Sequence, residues 1–409
     1  MNKFNKLRSD FPILQQKVNQ QPLCYLDNAA TTQKPQQVLD AMMHFYQTSN
    51  ANIYRGAHTF AEQATALYEQ ARQKAAQFIG AHNSSEIIFT RGTTESINFV
   101  ASTWANKHIK SGDEILATEL EHHANLLPWQ HVAQQKGVEL KFIPVLTDGT
   151  LDLSTLDRLL TKKTKLVAIT QVSNAIGTHN PVKKIIDAAH SVGAKVLIDA
   201  AQSVPHQATN VQELNCDFLA FSGHKMLGPT GIGVLYIKKE LHEEIPPYIY
   251  GGGMVTTVGW QQAEWLPAPQ KFEAGTPPIA QAIGLGTAID YLAAHINFDT
   301  LQAYEARLAT QLIDGLSAMP QVKILGSTKE LKKGHLVSFI LNGIHAHDAA
   351  AYCDSKGISL RAGHHCAQPL AKKLGYYASL RASFYFYNTI QEVDCLISAI
   401  SELSQQFNQ

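Results

Sequence analysis

Short apolar runs separated by longer stretches of helical period dominate the first two-thirds of the chain. Runs at 86–90, 114–117, 139–145, 165–170, 195–198, 218–221 and 231–237 predict strands. Amphipathic stretches of helix length lie between several of them, including 93 to about 105, 151–160 and 182–192. Alternation of this kind predicts a mainly parallel sheet covered by helices on both faces. The last two runs are close in sequence, which suits an antiparallel pair and hence a mixed sheet. A Pro- and Gly-rich stretch around 246–278 has no sustained period and predicts a boundary or the border of a site. Beyond it, a helix over 278–295, strands near 336–341, 358–361 and 380–385, and a final helix over 391–403 read as a smaller α+β unit.

Composition narrows the function classes. With 409 residues, two or three domains are expected at ~150 residues each. Apolar residues make up 45% and charged residues 17%, enough apolar material for a large core. Thirty-four basic side chains balance thirty-four acidic ones, which disfavours a nucleic-acid or polybasic membrane partner. No window approaches the ~18 apolar residues of a membrane span, and the start of the chain, with Lys3, Lys6, Arg8, Asp10 and Lys17, has no apolar signal core. Five scattered cysteines without a Cys-x-x-Cys pair predict thiols rather than disulfides. A cytoplasmic protein is expected.

Three segments carry candidate chemistry. In Ser222-Gly223-His224-Lys225 a lysine follows an apolar strand. Desolvation lowers an ammonium pKa and frees the amine to attack carbonyls, although an exposed lysine opening a loop fits the same letters. In Asp199-Ala200-Ala201-Gln202 a carboxylate stands at a strand's carboxyl end, where open α/β sheets bind ligands; a helix N-cap is the plainer alternative. The 26 residues separating Asp199 from Lys225 suffice for a helix and a return strand, so both can reach one crevice. Arg91-Gly92-Thr93-Thr94-Glu95, at a strand-to-helix junction, offers N–H groups and hydroxyls to an anion, or simply caps the helix. An acid beside a Schiff-base lysine with a phosphate cradle is the protein's half of pyridoxal-phosphate chemistry. His122-His123 suggests a ring-stacking histidine; a metal site is disfavoured, because adjacent helical side chains do not face each other and no cysteine lies at zinc-like spacing.

Taken with Leu26-Asp27-Asn28-Ala29-Ala30-Thr31-Thr32, the run from Phe272 to Pro277 and Arg361-Ala362-Gly363-His364-His365-Cys366, these segments resemble, in order and from about residue 8 to residue 400, a cysteine desulfurase of the group II (SufS/CsdA-like) branch, a fold-type I, class V pyridoxal-phosphate enzyme. The resemblance implies a large domain over 22–280 with a mixed, mainly parallel seven-stranded sheet, and a small α+β domain from 1–21 plus 281–409 carrying the Cys366 loop. It implies that Lys225 anchors the cofactor, Asp199 pairs with the pyridine nitrogen, Gln202 bonds the ring oxygen and His122 stacks on the ring. Thr93, Thr94, Ser222 and His224 would hold the phosphate, and Thr276 would reach the phosphate of a neighbouring subunit, making a homodimer. Arg381, helped by Asn174, would clamp the substrate carboxylate, with Arg361 nearby. Arg55, in a segment where Tyr54 replaces a histidine often seen, would cross to the partner site.

Cys366 decides the expected reaction. Its neighbours Arg361, His364 and His365 and its place in a loop mark it as the nucleophile, whereas Cys216 and Cys395 read as packed and inert. L-cysteine would become L-alanine, with the sulfur left as a persulfide on Cys366 and passed to a SufE- or SufU-like acceptor protein, with iron–sulfur cluster assembly as the expected destination. A selenocysteine lyase, which need not require Cys366, is the main alternative. A class V aminotransferase or kynureninase-like lyase has no use for that thiol.

Overall fold

A computed structural model of the protein describes residues 3–406. Seven strands form the central sheet: β1 (Ile87–Thr90), β2 (Glu114–Thr118), β3 (Glu139–Ile143), β4 (Thr164–Thr170), β5 (Lys195–Asp199), β6 (Phe218–Ser222) and β7 (Gly233–Ile237). Their spatial order is β1-β7-β6-β5-β4-β2-β3. β2 through β6 are parallel, and β7 runs antiparallel between β6 and β1, as the short spacing of the last two runs predicts.

Apart from the edge strand β3, these strands are apolar almost throughout because each is covered on both faces. Ile87, Phe89, Leu116, Val167, Ile169, Val196, Ile198, Leu219, Phe221 and Val234 belong to one core, whereas Ile88, Ile115, Leu166, Ala168, Leu197, Phe218, Ala220 and Leu235 belong to another. The period-2 alternation of strand side chains divides the two layers. One glycine is required by close approach: a Cβ on Gly233 would stand 2.5 Å from the Gly92 Cα and 2.8 Å from the Phe221 carbonyl.

Two helical segments depart from expectation. The helix expected over 93–105 is α-helical at Thr93–Val100, then widens into a π-helical turn at Ala101–Ala105. The helix expected over 151–160 shrinks to Leu156–Leu159, because Leu151 bridges to Val145 and Asp152 turns back to accept from the Ser154 N–H at 3.1 Å. The Pro- and Gly-rich stretch holds an exposed hairpin, β8 (Val255–Val258) with β9 (Ala263–Trp265).

A second, antiparallel sheet is built from β10 (Val322–Leu325), β11 (Leu336–Leu341), β12 (Arg361–Gly363) and β13 (Ser379–Ser383), in the order β10-β11-β13-β12. The strand expected over 358–361 is split: Ile358–Ser359 pairs in parallel with Cys24–Tyr25, and the chain then crosses to β12. Phe4 and Phe11 pack against Phe386, tying the start of the described chain to the segment that follows β13. Of the smaller domain expected from 1–21 and 281–409, residues 1–2 and 407–409 lie outside the described residues. No single helix among the described residues is long and apolar enough to cross a membrane.

Candidate active site

β2, β4, β5 and β6 all point their carboxyl ends to one side, and Thr170, Asp199 and Ser222, which end the last three, rim a crevice. The second sheet brings Arg361 and Arg381 over it. The resulting cavity, of about 290 Å³, is lined by Thr93, Thr94, His122, Asn174, Asp199, Gln202, Ser222, His224, Lys225, Arg361, Cys366 and Arg381. Arg55 and Thr276 are not among them. They line a separate, wider cavity of about 600 Å³, where Asn52 Nδ2 donates to Thr276 Oγ1 at 3.2 Å.

Lys225 ends a short turn that continues directly from β6. Burial brings its ammonium down to about 8; Asp199 pulls the value back up and Arg381 pushes it down further. The free amine is therefore accessible near neutral pH, as the strand-end position predicts. Asp199 is buried, which raises its carboxyl, while the Ala201 N–H, donated at 3.0 Å, and Lys225 lower it. The short-range bond to Ala201 is the N-cap-like contact that competes with the functional reading; it occupies Oδ1. His122 is held near pKa 3, first by burial and then by Lys225, so its ring is neutral. Its Nδ1 accepts from the Ala124 N–H at 3.0 Å, which leaves the proton on Nε2.

At the other end of the crevice the helix Thr93–Val100 begins. Ser222 Oγ accepts the Thr93 N–H at 2.9 Å and lies 2.7 Å from Thr93 Oγ1. Two hydroxyls and a helix N-terminus thus meet where an anion would bind. His224, beside them, is brought to about 4 by burial and by Lys225.

Arg381 is buried in β13 rather than solvated at a strand edge. Its Nη1 donates to the Asn174 carbonyl at 2.8 Å and its Nη2 to Asp27 at 3.3 Å, while its Nε has no partner. Arg361 binds the same Asp27 carboxylate through Nε at 3.1 Å and Nη2 at 2.8 Å. Asp27 therefore neutralises and aims both guanidiniums, a role that its place in a motif did not disclose. Lys34 is a second residue missed: it donates to the His224 carbonyl at 3.0 Å, which Thr31 Oγ1 and the Thr32 N–H also reach. Lys34 and His224 lie 190 positions apart, so no local sequence signal marked that clasp.

Cys366 is exposed and both it and His365 have left-handed backbones, φ 56° and 53°, uncommon for residues with a side chain. The turn is held at three points. The Cys366 carbonyl accepts the His123 N–H at 2.7 Å, the His365 carbonyl accepts from Asn174 Nδ2 at 2.6 Å, and His365 Nε2 bonds Ser379 Oγ at 2.9 Å. Of the other thiols, Cys216 is buried and its pKa is pushed up to about 12 by burial. Cys395, expected to be packed, is exposed on the outer face of the last helix: its helix turns other positions, Val393 and Leu396, to the core.

Residues 24–396 match the model of the class-V aminotransferase family. A Streptomyces coelicolor protein described as a probable cysteine desulfurase is 48% identical over 406 residues, covering 98% of this chain and 97% of the relative. Among solved structures, the apo form of a cysteine desulfurase from Thermococcus onnurineus superposes with a TM-score of 0.94 at 40% identity, over 99% of both chains. The Escherichia coli cysteine desulfurase CsdA, in its S-sulfonic acid form, gives 0.91 at 40% identity over 99% of both.

Proposed function

The chain belongs to the class-V aminotransferase family, and we propose from the site's geometry that it is a cysteine desulfurase that turns L-cysteine into L-alanine and carries the sulfur as a persulfide on Cys366. One observation carries the reading: a buried amine of lowered pKa, a buried acid and an exposed thiol, Lys225, Asp199 and Cys366, line a single cavity.

The cofactor is pyridoxal 5′-phosphate, and the residues present suit it. Asp199 offers the pyridine nitrogen a buried carboxyl with only one backbone bond to satisfy, Thr93, Thr94, Ser222 and His224 surround the helix N-terminus that suits a phosphate, and neutral His122 gives an uncharged ring to pack against. When bound, the cofactor supplies an electron sink next to the substrate's α-carbon. The rest of the work falls to the chain. Arg381, which lines the cavity, binds the substrate carboxylate. Lys225 anchors the cofactor and, once released as a free amine, moves the proton at the α-carbon. Cys366 attacks the substrate sulfur as thiolate; an S–S bond forms, the substrate C–S bond breaks, and its electron pair stays with the carbon that becomes the methyl group of alanine.

The persulfide passes to an acceptor protein of SufE or SufU type, with iron–sulfur cluster assembly as the destination; the exposure of Cys366 supports delivery to a second protein. The working form is a homodimer in which each subunit lends Arg55 and Thr276 to its partner's site. Support comes from their place in a separate cavity, which Val255 of the β8–β9 hairpin also lines, and from the exposed Val258 and Trp260 of that hairpin. The division into a 22–280 domain and a 1–21 plus 281–409 domain, and a cytoplasmic location, complete the proposal; five free cysteines suit a reducing compartment. Incubating purified protein with L-cysteine, with and without reductant, tests the function: alanine, sulfide and a mass gain of one sulfur on Cys366 are expected. Alanine formed with Cys366 unmodified would overturn the persulfide step.

A further inference from the structure

Behind Gln202 lies a buried polar chain that the reaction above does not use. Gln202 Nε2 donates to the Ala29 carbonyl at 2.7 Å, so its Oε1 is the atom that meets His335 Nε2 at 3.1 Å. An amide oxygen only accepts, hence His335 carries its proton on Nε2. The His335 ring stacks on His206, with centroids 3.5 Å apart and planes 9° from parallel. His206 Nδ1 is bonded to Glu305 Oε1 at 2.8 Å. All three side chains are buried. Burial lowers both imidazoles and raises the Glu305 carboxyl, so the assembly carries no net charge. His206, Glu305 and His335 are close enough to suggest metal ligands. An ion lies near the plane of every imidazole it binds, however, and two parallel rings stacked at this distance offer no such point. The cluster is better explained by what it does to Gln202.

We propose that His335 is a positioning residue for the cofactor: its Nε2–H, fixed by the stack on His206 and the Glu305 bond behind it, locks the Gln202 amide so that the second Nε2–H of Gln202 is presented to the cofactor's ring oxygen. Without that donor only the bond to the Ala29 carbonyl holds the amide against a flip, which would set its oxygen against the ring oxygen and replace an attraction by a repulsion. Nothing local in the sequence joins these residues; Gln202 and His335 lie 133 positions apart. The inference rests on the reading that pyridoxal phosphate occupies this cavity.

The test uses cofactor-loaded protein without substrate, following the visible absorption of the bound cofactor as pH is varied. A donor on the ring oxygen stabilises its negative charge, so losing the donor should raise the spectral midpoint. His335→Phe keeps an aromatic stack and removes the donor, and a rise of about half a pH unit or more is expected. His335→Gln, whose amide reaches as far as Nε2, should restore the wild-type midpoint. A wild-type midpoint in His335→Phe, or an equal rise in His335→Gln, would overturn the proposal in favour of simple packing. If His335→Phe does not fold, His335→Asn, one bond too short, takes its place against His335→Gln, and equal midpoints in that pair overturn it. A colourless wild-type protein after loading would fail the cofactor reading itself, an outcome distinct from a band that titrates normally in every variant.

Discussion

The strand-end crevice and the Cys366 turn contribute to one cavity by opposite means. Asp199 and Lys225 sit at the ends of β5 and β6, buried in a sheet whose strands are apolar on both faces. Their chemistry is altered by burial: the acid's pKa is raised and the amine's is lowered to about 8. Cys366 is exposed, on a left-handed turn held by three hydrogen bonds from separate segments. The contrast teaches that the scaffold tunes protonation where nothing has to move, and leaves open to solvent the atom that must hand its cargo to another molecule.

Each side of this contrast can be broken separately. The largest effect is expected from Lys225→Ala, which should abolish the visible band of the bound cofactor and lower alanine formation by about a thousandfold or more; an unchanged spectrum would remove Lys225 from its role. Cys366→Ala should keep the colour and lose the persulfide. Turnover of selenocysteine by that variant, alongside lost turnover of cysteine, would show how far the thiol alone sets the sulfur reaction.

A smaller effect is expected where the two regions are joined. Asp27→Asn leaves two neighbouring guanidiniums without their shared carboxylate, and Arg381 loses a charged hydrogen bond that helps aim it. KM for L-cysteine should rise roughly tenfold with kcat nearly unchanged; equal loss in both would mean that Asp27 acts on the chemical step.

In the cofactor-free protein, Lys225 should mark its burial in the pH dependence of stability. Its folded value, about 8, lies below the ordinary 10.5. Between those values the unfolded chain binds the extra proton, so stability rises with pH across that window, and below it the penalty for burying the charge is constant. The thermal midpoint of the wild type should therefore climb relative to Lys225→Met between about pH 8 and 10.5, a difference read by calorimetry; parallel curves would place the ammonium in solvent. The smallest effect belongs to Cys395→Ser, on the outer face of the last helix, which should leave sulfur transfer within about twofold of wild type.

Much of this was legible along the chain. The seven apolar runs appear as the seven strands of the central sheet, within a residue or two at most ends, and Asp199, Ser222 and Lys225 stand where strand ends were expected. Among the expectations that failed for local reasons, the helix at 151–160 shrank to Leu156–Leu159 beside the Asp152 turn, and Cys395 turned outward although its helix is amphipathic. Periodicity identifies a helix and a buried face, yet a single residue near the edge of that face falls either way.

Period-2 burial and turn chemistry act over a few residues, so the chain's own order was enough to set the sheet and to place an acid and an amine at its carboxyl edge. The partners of Arg381 and Gln202 were decided by docking of the second sheet: Asp27 reaches Arg381 across 354 positions and His335 reaches Gln202 across 133. Contacts over such distances depend on how packed layers meet, and no local pattern of residues encodes that meeting.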